Sequence, residues 1–533
     1  MIKRALISVS DKTGLVELGK ALKHFQVEII STGGTAEALQ EAGIATLSVS
    51  DYTGFPEMME GRLKTLHPRV HGALLGRRED AQHQEDAKTY GIQWIDLVVV
   101  NLYPFEEAFT RSKKPDWRDL VENIDIGGPA MIRAAAKNHE YCTVVVQPKD
   151  YKKIIQRLKK SPEEPFDFKF RYDMALKAFH YTGLYDSYIA QSLSSYEAES
   201  PSELRQRDFP KYHFVAGQLH QELRYGENPH QKAAAYRVVR PRESLPVSSS
   251  LQGKELSFNN FLDADAAWRL LTELPPKSTV ILKHNNACGV GVGEGEKQSF
   301  TRAFEADQES AFGGVVGISG EINSELAEQI AESFFEIVCA EAFSVGAREI
   351  FEKRKNLRLL LLPKLSDSND SLSVNTDLRK LSGLYLLQEM DHLGPYGENN
   401  LGPDLHCVTK REPTGDELSS LRLSWVISKH LKSNAVVIGD LFQSLGIGCG
   451  EVNRKYATQG AIDRMMSRPQ LGSLRVCASD GFFPFRDSVD LLSKAGVTAI
   501  IQPGGSLRDK EVIEACDEAQ MSMLFTKTRH FRH

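Results

Sequence analysis

The residues of this sequence best suited to chemistry are a lysine and a histidine at the end of an apolar run, in Ile281-Leu-Lys-His-Asn-Asn-Ala-Cys-Gly-Val-Gly-Val-Gly293. Ser278-Thr-Val and the two apolar residues after it predict the end of a buried strand. Lys283 and His284 then face whatever lies beyond its carboxyl end, where open α/β sheets bind ligands. An imidazole can carry a proton near neutral pH, and an ammonium can stabilise an oxyanion or protonate a leaving nitrogen; together they suit acyl transfer. A lone Lys-His pair is far more often a surface lysine beside a core-edge histidine, and spacing alone does not decide against that.

A second kind of chemistry is written into two polar turns near the start, Ser8-Val-Ser-Asp-Lys-Thr13 and Ser31-Thr-Gly-Gly-Thr35. Glycines there let backbone amides approach an anion, and a helix start adds partial positive charge, so a phosphate is a natural ligand. Ser-Thr-Gly-Gly-Thr by itself fits an ordinary capped turn equally well. Lys12, Arg62 and Lys64 favour phosphate, the last two lying in Gly61-Arg-Leu-Lys-Thr-Leu-His-Pro68, where Pro68 keeps His67 extended. Asn101-Leu-Tyr-Pro-Phe105 leaves the end of a buried strand, so that Tyr103 overhangs the same cleft, although a tyrosine before proline is more often packing. In Ile124–His139, Gly127-Gly128-Pro129 turns into a helix on which Arg133 and Lys137 share a face. Asp125 precedes that helix and Lys137 ends it, and spacing does not bring them together. Leu223-Arg-Tyr-Gly-Glu-Asn-Pro-His-Gln231 offers Arg224 for phosphate and Tyr225 for stacking.

The elements that must hold these groups follow from periodicity. Arg4–Val9 reads as a strand, Leu15, Leu18, Leu22 and Phe25 recur at helical spacing, Val27–Ile30 is a strand, Thr35–Ala42 a helix, and Ile44–Val49 and Ile95–Val100 are strands. That alternation predicts an α/β fold with a doubly wound parallel sheet. Asp173–Leu193 reads as a helix closing the first domain, and Ser194–Ser202, small, polar and acidic, as a linker. Domains are therefore expected at 1–199 and 200–533. Further on, Ala435–Ile438, Cys477–Ser479 and Ala499–Gln502 are apolar strands, with no clear internal sequence repeat. The glycines 289, 291, 293 and 295, and Gly446-Ile-Gly-Cys-Gly450, register on no dinucleotide fingerprint and are expected to be flexible loops near a ligand.

A length of 533 residues implies more than one core, and 41% hydrophobic with 26% charged residues is an ordinary globular composition. A net charge of -6 leaves no basic footprint for nucleic acid. The sequence begins without an apolar leader, and no later run is long enough to cross a bilayer, so a cytoplasmic protein without membrane partners is expected. Seven cysteines without a Cys-X-X-Cys or a Cys/His cluster are expected to be reduced thiols, with no structural metal; Cys142, in an apolar run, reads as core.

The motif Lys-His-Asn-X-X-Cys-Gly after an apolar strand resembles the AICAR transformylase/IMP cyclohydrolase family of bifunctional purine-biosynthesis proteins. The likeness recurs in order at Ser8–Thr13, Ser31–Thr35, Gly61–Pro68, Asn101–Phe105, Ile124–His139, Leu223–Gln231, Ser310–Gly314, Gly446–Arg454, Asp480–Asp487 and Arg529–His533. The resemblance implies a methylglyoxal-synthase-like N-terminal domain and a C-terminal pair of cytidine-deaminase-like α/β lobes divided near residue 370, without the zinc site of deaminases. It also implies formyl transfer from 10-formyltetrahydrofolate to AICAR, giving FAICAR, and closure of FAICAR to IMP with loss of water, in a homodimer. Lys283, His284 and Asn434 are then the transfer residues, and Lys64, Tyr103, Asp125 and Lys137 surround the closing ring. Ser10, Lys12, Ser31, Thr32, Gly33, Gly34, Thr35, Arg62 and Thr65 hold the first nucleotide. Arg224, Tyr225, Gly314, Glu336, Arg454, Phe482, Asp487, Arg529 and Phe531 hold the second. Family members usually carry Pro where Ala287 stands and Gln where Glu451 stands; Ala287 is expected to loosen the loop after His284, and Glu451 to place negative charge near Arg454. The methylglyoxal-synthase-like fold also serves as a regulatory module, so a transformylase with a non-catalytic, purine-binding N-terminal domain is the alternative. An inactive homologue is disfavoured by the survival of the charged residues.

Overall fold

A computed structural model describes residues 2–105, 117–200, 203–238, 249–362, 376–393, 396–468 and 474–533. It divides into two compact units, Met1–Ala216 and Gly217–His533. The lobe boundary expected near residue 370, and residues 201 and 202 of the expected linker, lie outside the described residues.

The first unit is built on a five-stranded sheet of β1 (Arg4–Val9), β2 (Glu28–Ser31), β3 (Leu47–Ser48), β4 (Leu97–Asn101) and β5 (Thr143–Val145), in the order β3-β2-β1-β4-β5. All neighbours are parallel. β4 is buried at every position, as a strand covered on both faces must be. Helix α1 (Leu15–His24) lays Leu15, Leu18 and Leu22 into the core, the period read from sequence. Helix α2 (Gly33–Glu41) begins two residues earlier than expected, at Gly33. The strand expected over Ile44–Val49 shrinks to β3 because the Ser48 side chain caps a short helix, Val49–Thr53, by accepting from the Asp51 amide. Helix α3 (Gly127–Lys137) packs on β4 and β5, and helix α4 (Phe168–Ser194), longer than expected, is capped by Asp167, whose carboxylate accepts from the Phe170 amide. After α4 the chain forms an antiparallel hairpin, Tyr196–Ser200 with Glu203–Gln206.

The second unit contains two six-stranded sheets. One holds β6 (Ser249–Gln252), β7 (Ser278–Lys283), β8 (Asn286–Val292), β9 (Val315–Ile322), β10 (Ile337–Phe343) and β11 (Arg358–Leu361), ordered β6-β11-β10-β9-β7-β8. The other holds β12 (His406–Cys407), β13 (Val436–Gly439), β14 (Ser444–Gly448), β15 (Val476–Ser479), β16 (Ala499–Gln502) and β17 (Ser522–Phe525), ordered β12-β17-β16-β15-β13-β14. The order and the parallel and antiparallel pattern are the same in both. Helix α5 (Phe258–Thr272) of the first lobe and α7 (Gly415–Lys429) of the second meet in one core that includes Leu270, Leu271, Val426 and Ile427.

Four glycines of these runs are packing devices rather than parts of the flexible loops expected. Gly289 and Gly291 lie in β8, where a Cβ would collide with the Ala303 and Ser299 carbonyl oxygens of helix α6 (Glu296–Ala306). Gly446 and Gly448 of β14 meet Ala461 and Ala457 of helix α8 (Arg454–Met466) in the same way. Strand and helix can approach this closely only where no side chain intervenes.

Candidate functional site

In the first unit the polar turns gather where the strand order reverses, between β1 and β4, the place where doubly wound sheets bind ligands. Asn101, at the end of β4, ties the two sides together: its Oδ1 accepts from the Ser10 and Asp11 amides at 2.6 and 2.9 Å, and its Nδ2 donates to the Asp11 carbonyl at 2.9 Å. The Ser8 and Thr32 hydroxyls meet at 2.8 Å, and Ser31 and Thr35 donate to the Ile7 and Val9 carbonyls. Thr32 occupies the cap of α2 without a side-chain cap bond, leaving Gly33 and Gly34 at the helix start. The Lys12 ammonium lies against Gly34. Amides, a helix N-terminus and a cation thus converge, as phosphate binding requires.

Beside them a second cluster forms around Asp125. Its Oδ1 accepts from the Gly128 amide at 2.8 Å at the start of α3, and its own amide donates to the Tyr185 hydroxyl at 2.8 Å. Burial raises the Asp125 carboxyl above its ordinary range, against the Gly128 and Tyr103 amides and the Lys64 charge, which lower it. Lys64, Tyr103 and Asp125 therefore share one site, with buried Thr65 against Gly127. Arg62 pairs with Glu122. Lys137 stands at the far end of the helix whose start Asp125 holds. It closes α3, an 11-residue helix, so that at about 1.5 Å per residue it sits roughly 15 Å along the axis from Asp125, and it is exposed.

In the second unit β7 is antiparallel to both neighbours, so Lys283 and His284 do not stand at the carboxyl edge of a parallel sheet as expected. They belong to a tight hairpin in which Lys283 pairs with Asn286, while His284 and Asn285 form the turn with φ of 54° and 63°. Two successive left-handed residues are the signature of a type I′ turn, which ordinarily takes Asn-Gly. Lys283 Nζ donates to the Phe312 carbonyl at 2.9 Å, beside Gly314, whose own carbonyl accepts from the Glu336 amide at 3.0 Å. Ala287 is buried within β8, opposite Leu282, and loosens no loop.

Asn286 reaches the other lobe, its Oδ1 accepting from the Lys432 amide at 2.9 Å. Two residues on, Asn434 Oδ1 accepts from Arg454 Nη2 at 2.7 Å, and Asn434 Nδ2 donates to the Glu451 carbonyl at 2.6 Å. Arg454 is buried; its Nη1 donates to Ser479 Oγ at 2.9 Å, to the Ala435 carbonyl at 3.2 Å and to Asp480. The carboxylate on Arg454 is thus that of Asp480, and Glu451 contributes its backbone. Arg454 and Arg529 lie 6.0 and 4.7 Å from the Phe531 ring, and Phe482 and Phe531 remain partly open to solvent. Asp487 pairs with Lys455 at 3.7 Å. Arg224 lies 5.7 Å from the Tyr225 ring, in a loop tied to α5 by Asn259 Nδ2, which donates to the Glu227 carbonyl at 3.4 Å.

Sequence reasoning missed the residues that hold these groups in place: Asn101, Asp480 and, on α5, Asn260 and Asp263. Asn260 Nδ2 donates to Glu336 Oε2 at 3.1 Å, and Asp263 Oδ1 accepts from the Asn285 amide at 2.7 Å. The one available signal for the α5 pair was Ser257-Phe-Asn-Asn260, a helix start whose capping box is present. All seven cysteines are free thiols, and burial pushes the Cys142 thiol up to about 12. Among the described residues no His/Cys/Asp/Glu group could hold a metal ion, and no helix is long and apolar enough to cross a membrane.

The AICARFT/IMPCHase bienzyme family matches residues 135–464, and the MGS-like domain matches residues 14–130. The bifunctional purine biosynthesis protein PurH of Halalkalibacterium halodurans is 45% identical over 100% of both chains. The PurH proteins of Bacillus cytotoxicus and Paracoccus denitrificans are 44% and 45% identical over 100% of this chain and 100% and 99% of theirs.

Proposed function

The chain belongs to the AICARFT/IMPCHase bienzyme family and is a bifunctional enzyme of purine biosynthesis, AICAR transformylase and IMP cyclohydrolase; from that premise we propose how its two units share the work. The unit Gly217–His533 transfers the formyl group and the unit Met1–Ala216 closes the ring. The observation that carries the first half is the Asn286–Lys432 hydrogen bond, which draws the Lys283–His284 turn of one lobe toward Asn434 and Arg454 of the other.

The donor we propose is 10-formyltetrahydrofolate and the acceptor the aromatic amine of AICAR, a weak nucleophile. As that nitrogen attacks the formyl carbon, His284 takes its proton. Lys283, an ammonium with three donors of which one is spent on Phe312, stabilises the oxyanion. The leaving folate nitrogen takes up a proton as the carbon–nitrogen bond breaks. Arg454 fixes the Asn434 amide, leaving it to orient the reacting groups. Arg224, Tyr225, Gly314, Glu336, Phe482, Asp487, Arg529 and Phe531 hold the nucleotide and the folate.

In the first unit the cradle of Ser10, Lys12, Ser31, Thr32, Gly33, Gly34 and Thr35, with Arg62 and Thr65, takes the phosphate and ribose of FAICAR. Its carboxamide nitrogen attacks the tethered formyl carbon and water leaves, so orientation alone lowers much of the barrier. Lys64 and the Tyr103 region supply positive charge and donors to the oxyanion, and Asp125, its carboxyl raised by burial, exchanges protons with the departing water. Lys137 enters this set on family resemblance alone. The protein acts in the cytoplasm as a homodimer; exposed Leu378, Leu384, Tyr385 and Leu386 on the hairpin Thr376–Lys380/Tyr385–Glu389 support the pairing.

Residues 1–216 made alone are expected to convert supplied FAICAR to IMP and to lack formyl transfer. A folded fragment without cyclising activity counts against this allocation and favours a binding-only first unit.

A further inference from the structure

The opening turns of α5 touch three separate parts of the transfer site. Asn259 ties down the Arg224–Tyr225 loop through the Glu227 carbonyl, Asn260 holds the Glu336 carboxylate, and Asp263 holds the turn that carries His284. Asn260 and Asp263 are three residues apart, hence on one face of the helix. Of the three contacts, that of Asp263 bears most directly on chemistry. His284 and Asn285 both adopt left-handed backbone, a region that disfavours histidine more than asparagine and that a histidine keeps only where the surroundings impose it. The 2.7 Å bond from the Asn285 amide to Asp263 Oδ1 reaches the turn from outside the hairpin. The Asn286 side chain donates to the His284 carbonyl at 3.2 Å from within it.

We propose that Asp263 is a positioning residue for formyl transfer: by accepting the Asn285 amide it fixes the left-handed turn and with it the direction in which His284 presents its imidazole. This rests on the reading of His284 as the proton acceptor. Asp263 is half-buried, and burial raises its carboxyl above the ordinary range while the Asn285 amide and His284 pull it back. The like charge of Glu336, itself held by Asn260 and lying 4.0 Å from Arg358, also raises it. A hydrogen-bond acceptor at this place is what the turn needs. An asparagine, whose Oδ1 also accepts, can supply it.

The test measures both half-reactions on the full chain for Asp263→Ala, Asp263→Asn and His284→Ala, with urea unfolding reporting that the second unit of each protein is folded and cyclisation of supplied FAICAR serving as the control reaction of the first. Asp263→Ala is expected to lower kcat for formyl transfer about 10- to 100-fold, the cost of misplacing a catalytic group by an ångström or less, with KM for AICAR little changed. Asp263→Asn is expected to restore most of the loss. A folded Asp263→Ala enzyme with near-normal kcat, beside an inactive His284→Ala, overturns the positioning role while leaving the function of His284 intact. Near-normal transfer by His284→Ala overturns both. Equal loss in the alanine and asparagine variants means that the negative charge is required, and it too overturns the proposal.

Discussion

Replacing His284 by asparagine separates chemistry from packing more sharply than replacing it by alanine. His284 sits at φ 54° in the first position of a type I′ turn. Left-handed backbone costs most L-residues about 1–2 kcal/mol, and asparagine less, because its short amide bonds locally. His284→Asn is therefore expected to leave the second unit as stable as before or more stable by up to ~1 kcal/mol, whereas His284→Ala keeps the strain and gains nothing. Both variants lose the imidazole, and loss of a positioned acid or base lowers rate by ~100-fold or more, roughly 2.7 kcal/mol on the barrier. The asparagine variant should thus gain stability while losing formyl transfer. A packing histidine predicts the reverse, lower stability with normal turnover per folded molecule. The assay follows formylation of AICAR and closure of supplied FAICAR separately, with urea unfolding on the same samples. Near-normal formyl transfer by folded His284→Asn would refute the role given to the imidazole.

The other expectations concern buried charge. Glu273, 1% exposed at the end of α5, accepts from Lys429 Nζ at 2.7 Å and meets His430 Nε2 at 2.9 Å at the end of α7. Burial alone would raise the Glu273 carboxyl, but His430 and Lys429 hold it far below its ordinary range; burial and the Lys429 charge hold His430 down to about 4. Glu273→Gln is expected to cost about 3–5 kcal/mol in denaturant unfolding by stranding the Lys429 charge, and Glu273→Leu with Lys429→Met to recover most of it; a cost under 1 kcal/mol for the single variant would contradict this. Because His430 is neutral when folded but takes a proton near 6.5 when unfolded, stability should fall as pH drops from 6.5 toward 4, and Glu273 should add a further loss below about 4.5. In a His430→Gln variant the loss between pH 6.5 and 4.5 should shrink. Asp125 has the opposite sign: its raised carboxyl stabilises at low pH and loses that contribution as pH rises through the folded value. Asp125→Asn should accordingly stabilise the first unit at neutral pH while abolishing cyclisation, and a destabilised variant would count against burial as the dominant cause. Arg454→Lys, which cannot serve Ser479, Asp480 and Asn434 with one fork, should lower formyl transfer tenfold or more and spare cyclisation.

The first sheet was legible because a parallel strand covered on both faces is a continuous apolar run, as in Leu97-Val-Val-Val, and because Leu15, Leu18 and Leu22 keep a helical period. The convergence of its polar turns was legible for the same reason, the turns being fixed by the strands they leave. The I′ turn at His284–Asn285 was not, since neither residue is the glycine that announces such turns. Asp263 and Asn260 carry no local signal of their contacts: the capping box at Ser257–Asn260 marks only the helix start, and the fold brings Asn285 and Glu336 to them. Spacing alone did not bring Lys137 and Asp125 together, because they flank opposite ends of the 11-residue helix α3.

The twin lobes explain both the glycines and the uneven use of the two hairpins. The repeat survives in sequence as Gly289-Val-Gly-Val-Gly-Glu294 and Gly446-Ile-Gly-Cys-Gly-Glu451, in which packing of strand on helix forbids a side chain at Gly289, Gly291, Gly446 and Gly448. Each lobe has a hairpin at the corresponding place, with a register shift near its turn. In the second lobe the turn satisfies itself: Asp440 Oδ1 accepts from the Phe442 and Gln443 amides at 2.8 and 3.0 Å. It then docks on the first lobe, the Phe442 carbonyl accepting from the Val292 amide at 2.7 Å and its ring lying 4.3 Å from the Arg302 guanidinium. In the first lobe the corresponding turn is held by its neighbours, Asp263 and Lys432, which bond Asn285 and Asn286. One hairpin of the pair thus fastens the lobes together, while the other carries Lys283 and His284, the pair proposed for formyl transfer.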